Sequence, residues 1–318
     1  MNDTTINSTR DRDALYREIT ESIIQSIEEG AGSGAFRMPW NRTPLTHRSV
    51  DGRPYRGLNV LLLSVAALRR NWTTPTWGTL RAWNAVGGKV RKGERGTRVI
   101  LWKKSDAPSL EENEGDAGDD RTPPPPRLYA RSFVVFNVAQ IEGIDPNDYA
   151  QQPKPIKNLV APDLYTLEAV TSIGCRVEFG GVRACYLPAF DLIQMPDRWR
   201  FEDQRAITSV LAHEAIHATG HKDRLAREFG KRFGDRAYAV EELVAELGAA
   251  MFLGNWSYRM TQRDDHARYI ASWLAVLREQ PRAILTVASQ AQRAADFLLE
   301  AATRRETARR ADTTETTA

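Results

Sequence analysis

His213-Glu214-Ala-Ile-His217 sets two imidazoles four residues apart, with a carboxylate beside the first. On an α-helix, at about 100° per residue, that spacing stacks both rings one turn apart on the same face. Both can then reach a single Zn²⁺ at about 2.0–2.1 Å, with Mn²⁺ or another divalent ion as the alternative. Glu214 is rotated off the ligand pair and stands where it can take a proton from a water that such an ion activates. Three of the chain's five histidines, His213, His217 and His221, fall within nine residues. Ile207, Val210, Leu211 and Ala218 share one face of the same pattern, so the pair abuts a core-facing stripe. A surface helix bearing two solvated histidines does not account for that stripe.

Two residues compete as third ligand. Glu241-Glu242-Leu-Val-Ala245-Glu246 opens another helix, and Glu242 lies 25 residues past His217. Ala245, Gly248 and Ala249 would let this helix approach the first one closely. Glu246, one turn beyond Glu242, could orient a histidine from behind, whereas Glu241 reads as an ordinary solvated acid. The competitor is Asp223, reached through a sharp turn at Gly220, with His221 read as a satisfied or outer-sphere histidine. Tyr238 could stabilise an oxyanion or be a buried aromatic. Residues 181–188 read as a strand beside the metal helix, either internal or open to an extended peptide.

These side chains need a scaffold, and 318 residues allow two domains. Asp13–Glu29 reads as a helix, with Leu15, Ile19, Ile23 and Ile27 recurring every four residues. Further helices are expected over 56–70 and 79–85, and paired strands over Val99–Trp102 and Leu128–Val138. A proline cluster near 145–160 marks a boundary. Beyond it come a helix over 163–173, strands over 176–179 and 184–187, the metal helix from about Asp203, and helix from Ala239 to about Thr303. Residues 1–9 and 304–318 read as loose ends. The resulting expectation is α+β in two domains: 10–148, interrupted by an acidic, proline-rich insertion at 105–126, and 156–303, mostly helical with a small sheet. Two cysteines, Cys175 and Cys185, suit a reducing compartment, and no run approaches 18 apolar residues. A cytoplasmic chain without a membrane span is the expectation.

Charge is distributed unevenly. Phe36–Lys104 holds fifteen Lys or Arg against two acids, whereas Ser105–Asp120 holds seven acids and no base. The stretch Gly87-Gly-Lys89-Val-Arg91-Lys92-Gly93-Glu-Arg95-Gly96 combines bases with glycines that let backbone N–H groups approach phosphates. Ahead of it, Trp40, Tyr55, Trp72, Trp77 and Trp83 interleave with Arg37, Arg42, Arg53, Arg56 and Arg81. A basic track with aromatic faces suits single-stranded DNA, with little sequence preference because no base-reading motif is present. Arg53, Tyr55, Arg56, Asn59, Trp77, Lys89, Arg91, Lys92 and Arg95 are the candidate contacts.

Both halves together resemble the ArdC antirestriction family of conjugative plasmids and related mobile elements, over about residues 13 to 300. The resemblance rests on Pro39-Trp40, on Tyr55-Arg56-Gly57-Leu58-Asn59 and on the glycine-rich basic stretch. In the second half it rests on Tyr186-Leu-Pro-Ala-Phe-Asp191, on His213 to His221 and on the block from Arg232 to Glu246. Glu242-x-x-Ala245-Glu246 is similar to the pattern that carries the third ligand in gluzincin proteases, which favours Glu242. The run from His217 to Asp223 resembles the metzincin spacing, with Asp where that pattern has His. Membership implies a single-stranded-DNA-binding domain, a zincin-like metallopeptidase domain with His213, His217 and Glu242 as ligands and Glu214 as base, an unidentified protein substrate, and protection of incoming plasmid DNA from restriction. The alternatives are a non-catalytic DNA-binding protein on a vestigial zincin scaffold, and a recruiting domain for a primase; the last lacks any polymerase motif after residue 150.

Overall fold

A computed structural model describes residues 4–6, 9–31, 47–104, 128–149, 162–229, 236–255 and 266–315. The acidic insertion, Arg37, Trp40 and Arg42 lie outside them. The elements are β1 (Thr4–Ile6), α1 (Thr9–Ala31), β2 (Arg48–Ser49), α2 (Leu58–Arg69), β3 (Thr76–Gly78), α3 (Leu80–Ala85), β4 (Lys89–Val90), β5 (Thr97–Lys104), β6 (Leu128–Asn137) and β7 (Ile141–Glu142). They continue with α4 (Pro162–Ser172), β8 (Arg176–Gly181), β9 (Cys185–Leu187), β10 (Leu192–Pro196), α5 (Gln204–Thr219), α6 (Arg236–Gly254), α7 (His266–Glu279) and α8 (Ala283–Glu315). This is an α+β fold with small sheets.

In the N-terminal half, β6 is the central strand of five. β5 runs antiparallel along it from Thr97 opposite Val135 to Lys104 opposite Leu128. β1 lies across β6 from β5, with Thr4 opposite Ser132. Residues 4–6 are therefore a paired strand, not part of a loose lead: Thr-Thr-Ile is β-branched and completes the hydrogen bonds of an otherwise bare edge. α1 buries Ile19, Ile23 and Ile27, and α2 buries Val60, Leu61, Leu63 and Val65.

A buried polar chain joins α2 to β3. Trp77 Nε1 donates to His47 Nδ1 at 3.1 Å, and Ser64 Oγ donates to the Val60 carbonyl at 2.8 Å. His47 Nε2 lies 2.8 Å from Ser64 Oγ, so a neutral ring protonated at Nε2 satisfies every member. Burial depresses the His47 pKa from 6.5 to about 4, with a bond involving Pro75 opposing it. A depressed folded pKa means that this contribution is complete above pH 6.5 and is lost as the pH falls toward 4. Acidification to pH 4.5 should cost roughly 2–3 kcal/mol through this residue. Urea unfolding of wild type and His47→Gln at pH 7.5 and 4.5 checks it: the variant should be less stable at pH 7.5 but less sensitive to acid. Equal losses in both proteins would show that His47 is not responsible.

In the C-terminal half, β8, β10 and β9 form a three-stranded sheet in that order, β8 parallel and β9 antiparallel to β10. β9 is thus an edge strand of that sheet, not an internal one. Asp203 caps α5 by accepting from Ala206 N at 2.8 Å. α5 packs on α4 and α6, and α6 packs on α8. A Cβ on Gly248 would stand 3.0 Å from the Ile216 side chain, so glycine lets α6 lie close against α5. The expected single helical run to Thr303 is divided into α6, α7 and α8, and α8 continues to Glu315. Residues 304–315 are therefore helical rather than a loose tail, being rich in Ala, Arg and Glu, which favour helix.

One hydrophobic core runs through both halves, joining Ile19, Ile23 and Leu61 to Trp273, Ile284 and Leu298. Polar ties accompany it. Thr20 Oγ1 donates to the Pro281 carbonyl at 2.7 Å, and Gly57 N donates to Gln292 Oε1 at 2.9 Å. Arg56 pairs with Asp296, and Arg282 with Asp13. Cys175 and Cys185 are free thiols. Among the described residues, no helix is long and apolar enough to cross a membrane.

Candidate functional site

α5 and α6 bring together the residues expected to hold a metal. His213 Nε2 and His217 Nε2 lie 3.2 Å apart. Glu242 Oε2 is 3.5 Å from the former and Glu242 Oε1 is 3.6 Å from the latter. Among the described residues, His213, His217 and Glu242 form a potential metal-holding group, with one ligand atom of each lying within 4.8 Å of the others, and all three are buried. Asp223 is not brought in: its side chain is 73% exposed and lies 3.5 Å from His221 Nδ1. Tyr238 is half-buried.

The outward ring nitrogens face carboxylates. Glu246 Oε2 lies 3.5 Å from His213 Nδ1. Glu241 Oε1 lies 3.0 Å from His217 Nδ1. Glu241 is therefore not a solvated acid. α6 is buried on all sides from Glu241 to Gly254, so it has no wet face on which that acid could sit.

The donor set fits a cation. Glu214, Glu241, Glu242 and Glu246 are all buried. Arg227, 4% exposed, pairs with Glu241. Among the described residues, Glu241, Glu242 and Glu246 each lie within 3.6 Å of an imidazole nitrogen of His213 or His217, a concentration of buried negative charge that a dry interior holds more readily when a cation joins it. His217 responds to that negative charge. Burial opposes charge on the His217 ring, but the Glu241 and Glu242 carboxylates outweigh it and raise its pKa to about 10. Burial likewise disfavours the Glu242 carboxylate, yet His213 and His217 hold its pKa well below the usual range. Two imidazoles and a carboxylate form a donor set suited to a divalent transition metal.

Glu214 sits one residue around α5 from His213, and its Oε2 accepts the Tyr186 N–H of β9 at 3.0 Å. The edge strand and the candidate base are thus in direct contact. The Tyr186 hydroxyl donates to Asp191 Oδ1 at 2.9 Å, and Arg224 ties Asp191 to the Ile173 and Ala218 carbonyls. The Tyr186–Asp191 block therefore fastens β9 to the end of α5.

The basic half matches its expectation less closely. Trp77 is fully buried, with its indole N–H spent on His47, so it cannot stack on a base. Trp83 is equally buried and donates to the Phe136 carbonyl at 2.9 Å. Asn59 is a clamp: its Nδ2 donates to the Ile100 carbonyl at 2.7 Å and its Oδ1 accepts Ile100 N at 2.8 Å. Tyr55 is half-buried against the core. Arg53 is exposed beside Asp51, and Arg56 is held by Asp296. Arg91 is engaged by Glu94 and the Ala139 carbonyl. Lys89, on β4, and Lys92 and Arg95, on the β4–β5 turn, remain exposed. Gly93 turns the backbone there at φ +87°, and Gln140 Nε2 holds Glu94 and the Arg95 carbonyl, each at 2.9 Å. Sequence does not sort the indoles, because a tryptophan that fills a core and one that stacks on a base look alike in composition.

Known proteins share both halves of this arrangement. Residues 13–136 match the N-terminal domain of the anti-restriction factor ArdC, and residues 166–290 match a zincin-like metallopeptidase family, MPTase-PolyVal. An uncharacterized protein, y4eC, of Sinorhizobium fredii is 40% identical over 294 residues, covering 89% of this chain and 91% of its own. DNA primase TraC of Escherichia coli is 29% identical over 302 residues, which are 90% of this chain but only 27% of the primase. The solved structure of the antirestriction ArdC protein from the R388 plasmid superposes in its metal-free form with a TM-score of 0.73 at 32% identity, covering 91% of this chain and 98% of that one. Its Mn(II)-bound form gives 0.71. With a relative and a solved structure matched over nearly their whole lengths, and both halves accounted for, this chain belongs to the ArdC antirestriction family, joining an ArdC-type N-terminal domain to a zincin-like domain.

Proposed function

We propose that this chain is a single-stranded-DNA-binding, metal-dependent peptidase that acts in the cytoplasm and protects incoming mobile-element DNA from host restriction. The convergence of His213, His217 and Glu242 beside Glu214 supports the enzymatic half most strongly. In this reading the first three residues hold Zn²⁺ or Mn²⁺, each histidine through Nε2. A divalent ion there would supply Lewis acidity, polarising a carbonyl and letting water ionise near neutral pH. Glu214 accepts the proton of the attacking water and can return it to the leaving amine. An extended peptide adding to the β9 edge would lie against Glu214, because that carboxylate already accepts from the strand's Tyr186 N–H. The test is cleavage of host-cell proteins by the metal-loaded chain, with and without single-stranded DNA; no cleavage in either condition contradicts the peptidase reading.

The DNA-binding half rests on charge. Lys92 and Arg95 project from a turn that Gln140, Glu94 and Gly93 hold in shape, and Lys89 stands exposed on β4 just before it. Replacing all three with Gln should weaken binding to every sequence alike. If each side chain neutralises one phosphate, the log–log salt slope should shrink by about 2, at about 0.7 for each phosphate released. Fluorescence anisotropy across a salt series measures this, and an unchanged slope would move the strand off this turn. Arg91 is left in place because its guanidinium braces the same turn.

A further inference from the structure

We propose that Arg227 and Glu241 are positioning residues for the metal ligand His217, a relay running from the loop after α5, through α6, to the imidazole. It rests on the reading of His213, His217 and Glu242 as the ligand set. Arg227 Nε donates to Glu241 Oε2 at 2.9 Å and Nη2 donates to Glu241 Oε1 at 2.8 Å, a two-point fork. The same guanidinium donates to Thr219 Oγ1 at 2.8 Å and to the Ile216 carbonyl at 2.6 Å. One side chain thereby fastens the last turn of the helix that carries His217 to the first turns of the helix that carries Glu242.

The chemistry follows from hydrogen-bond accounting. Both Glu241 oxygens receive N–H donors from Arg227, so the carboxylate acts only as an acceptor. Its remaining partner is His217 Nδ1, at 3.0 Å. That nitrogen must keep its hydrogen, so Nε2, which faces Glu242 and His213, is the nitrogen that would give up its proton to a metal. Glu241 thus selects the tautomer, fixes the ring rotation and raises the basicity of the ligand nitrogen. Arg227 lets it do so without adding to the local negative charge. Lysine could cancel the charge but could not span both oxygens, Thr219 and Ile216 with a rigid fork.

The experiment is titration of Mn(II) into the metal-free full-length chain, reading the free ion by electron paramagnetic resonance, beside thermal unfolding without metal. Glu241→Gln and Arg227→Ala should each weaken Mn(II) binding by about 10- to 100-fold, as loss of an outer-shell partner does. The double variant should bind no more weakly than the weaker single, because both residues act through His217. Arg227→Lys should keep part of the affinity, and it stands in if Arg227→Ala does not fold. A purely structural stitch would lower the unfolding temperature and leave affinity intact. Wild-type affinity in a folded Glu241→Gln protein, or losses that multiply in the double variant, would overturn the relay. A wild-type chain that binds no Mn(II) would instead defeat the ligand assignment beneath it.

Discussion

Glu242→Ala is expected to weaken divalent metal binding by more than about 100-fold, beyond the range typical of an outer-shell partner. Glu242 is buried on α6, with its two oxygens 3.5 and 3.6 Å from the two histidine Nε2 atoms. In the proposed site its removal would take away a ligand and one of the carboxylates whose negative charge attracts the ion. Asp223→Ala should stay within about twofold of wild type, because its carboxylate points into solvent beside His221. Thermal unfolding offers a second readout. Metal at a hundredfold excess over Kd should stabilise wild type by about 2.7 kcal/mol, and that increment should vanish in Glu242→Ala while persisting in Asp223→Ala. The reverse pattern would transfer the third ligand to Asp223.

Much of the candidate metal site is legible in the chain because its logic is local. An i, i+4 histidine pair on a helix needs no knowledge of tertiary structure to be placed on one face. Glu242 requires more, since the approach of α6 to α5 depends on Gly248 meeting Ile216. Glu241 reads wrongly as a solvated acid because its neighbour Glu242 faces the same interior on a helix without a solvent side, so adjacency to a ligand carries no periodic signal. Arg227, ten residues past His217, returns to the site through a loop whose path no residue pattern announces.

The same contrast runs through the fold. α1, α2 and α3 lie near their expected positions because apolar spacing and caps, such as Thr79 accepting from Ala82 N, act within a few residues. β2, β4 and β7 are two residues each, too short to show alternation, and exist only through their partners. β10 carries Pro196 at its end and lies outside the strands expected over 176–179 and 184–187, yet it is the middle strand of its sheet. The shared core depends on pairings such as Thr20 with Pro281, 261 positions apart. Non-local pairing of this kind leaves no periodic trace.

The central claim, that a metal held by this site serves hydrolysis with Glu214 as proton acceptor, is tested most directly by one comparison. Peptide or host-protein cleavage is measured for wild type and Glu214→Gln, both loaded with the same metal. Glu214 is buried and accepts the Tyr186 N–H at 3.0 Å. Glutamine has the same shape and can still accept that bond through its amide oxygen, so fold, metal affinity and DNA affinity should persist. It cannot take a proton from water. Cleavage should therefore fall by about 10²- to 10⁴-fold. The same pair, assayed for plasmid transfer into a restricting host, shows whether protection depends on that step or on DNA binding alone. A metal-loaded Glu214→Gln protein that cleaves as fast as wild type would contradict the account.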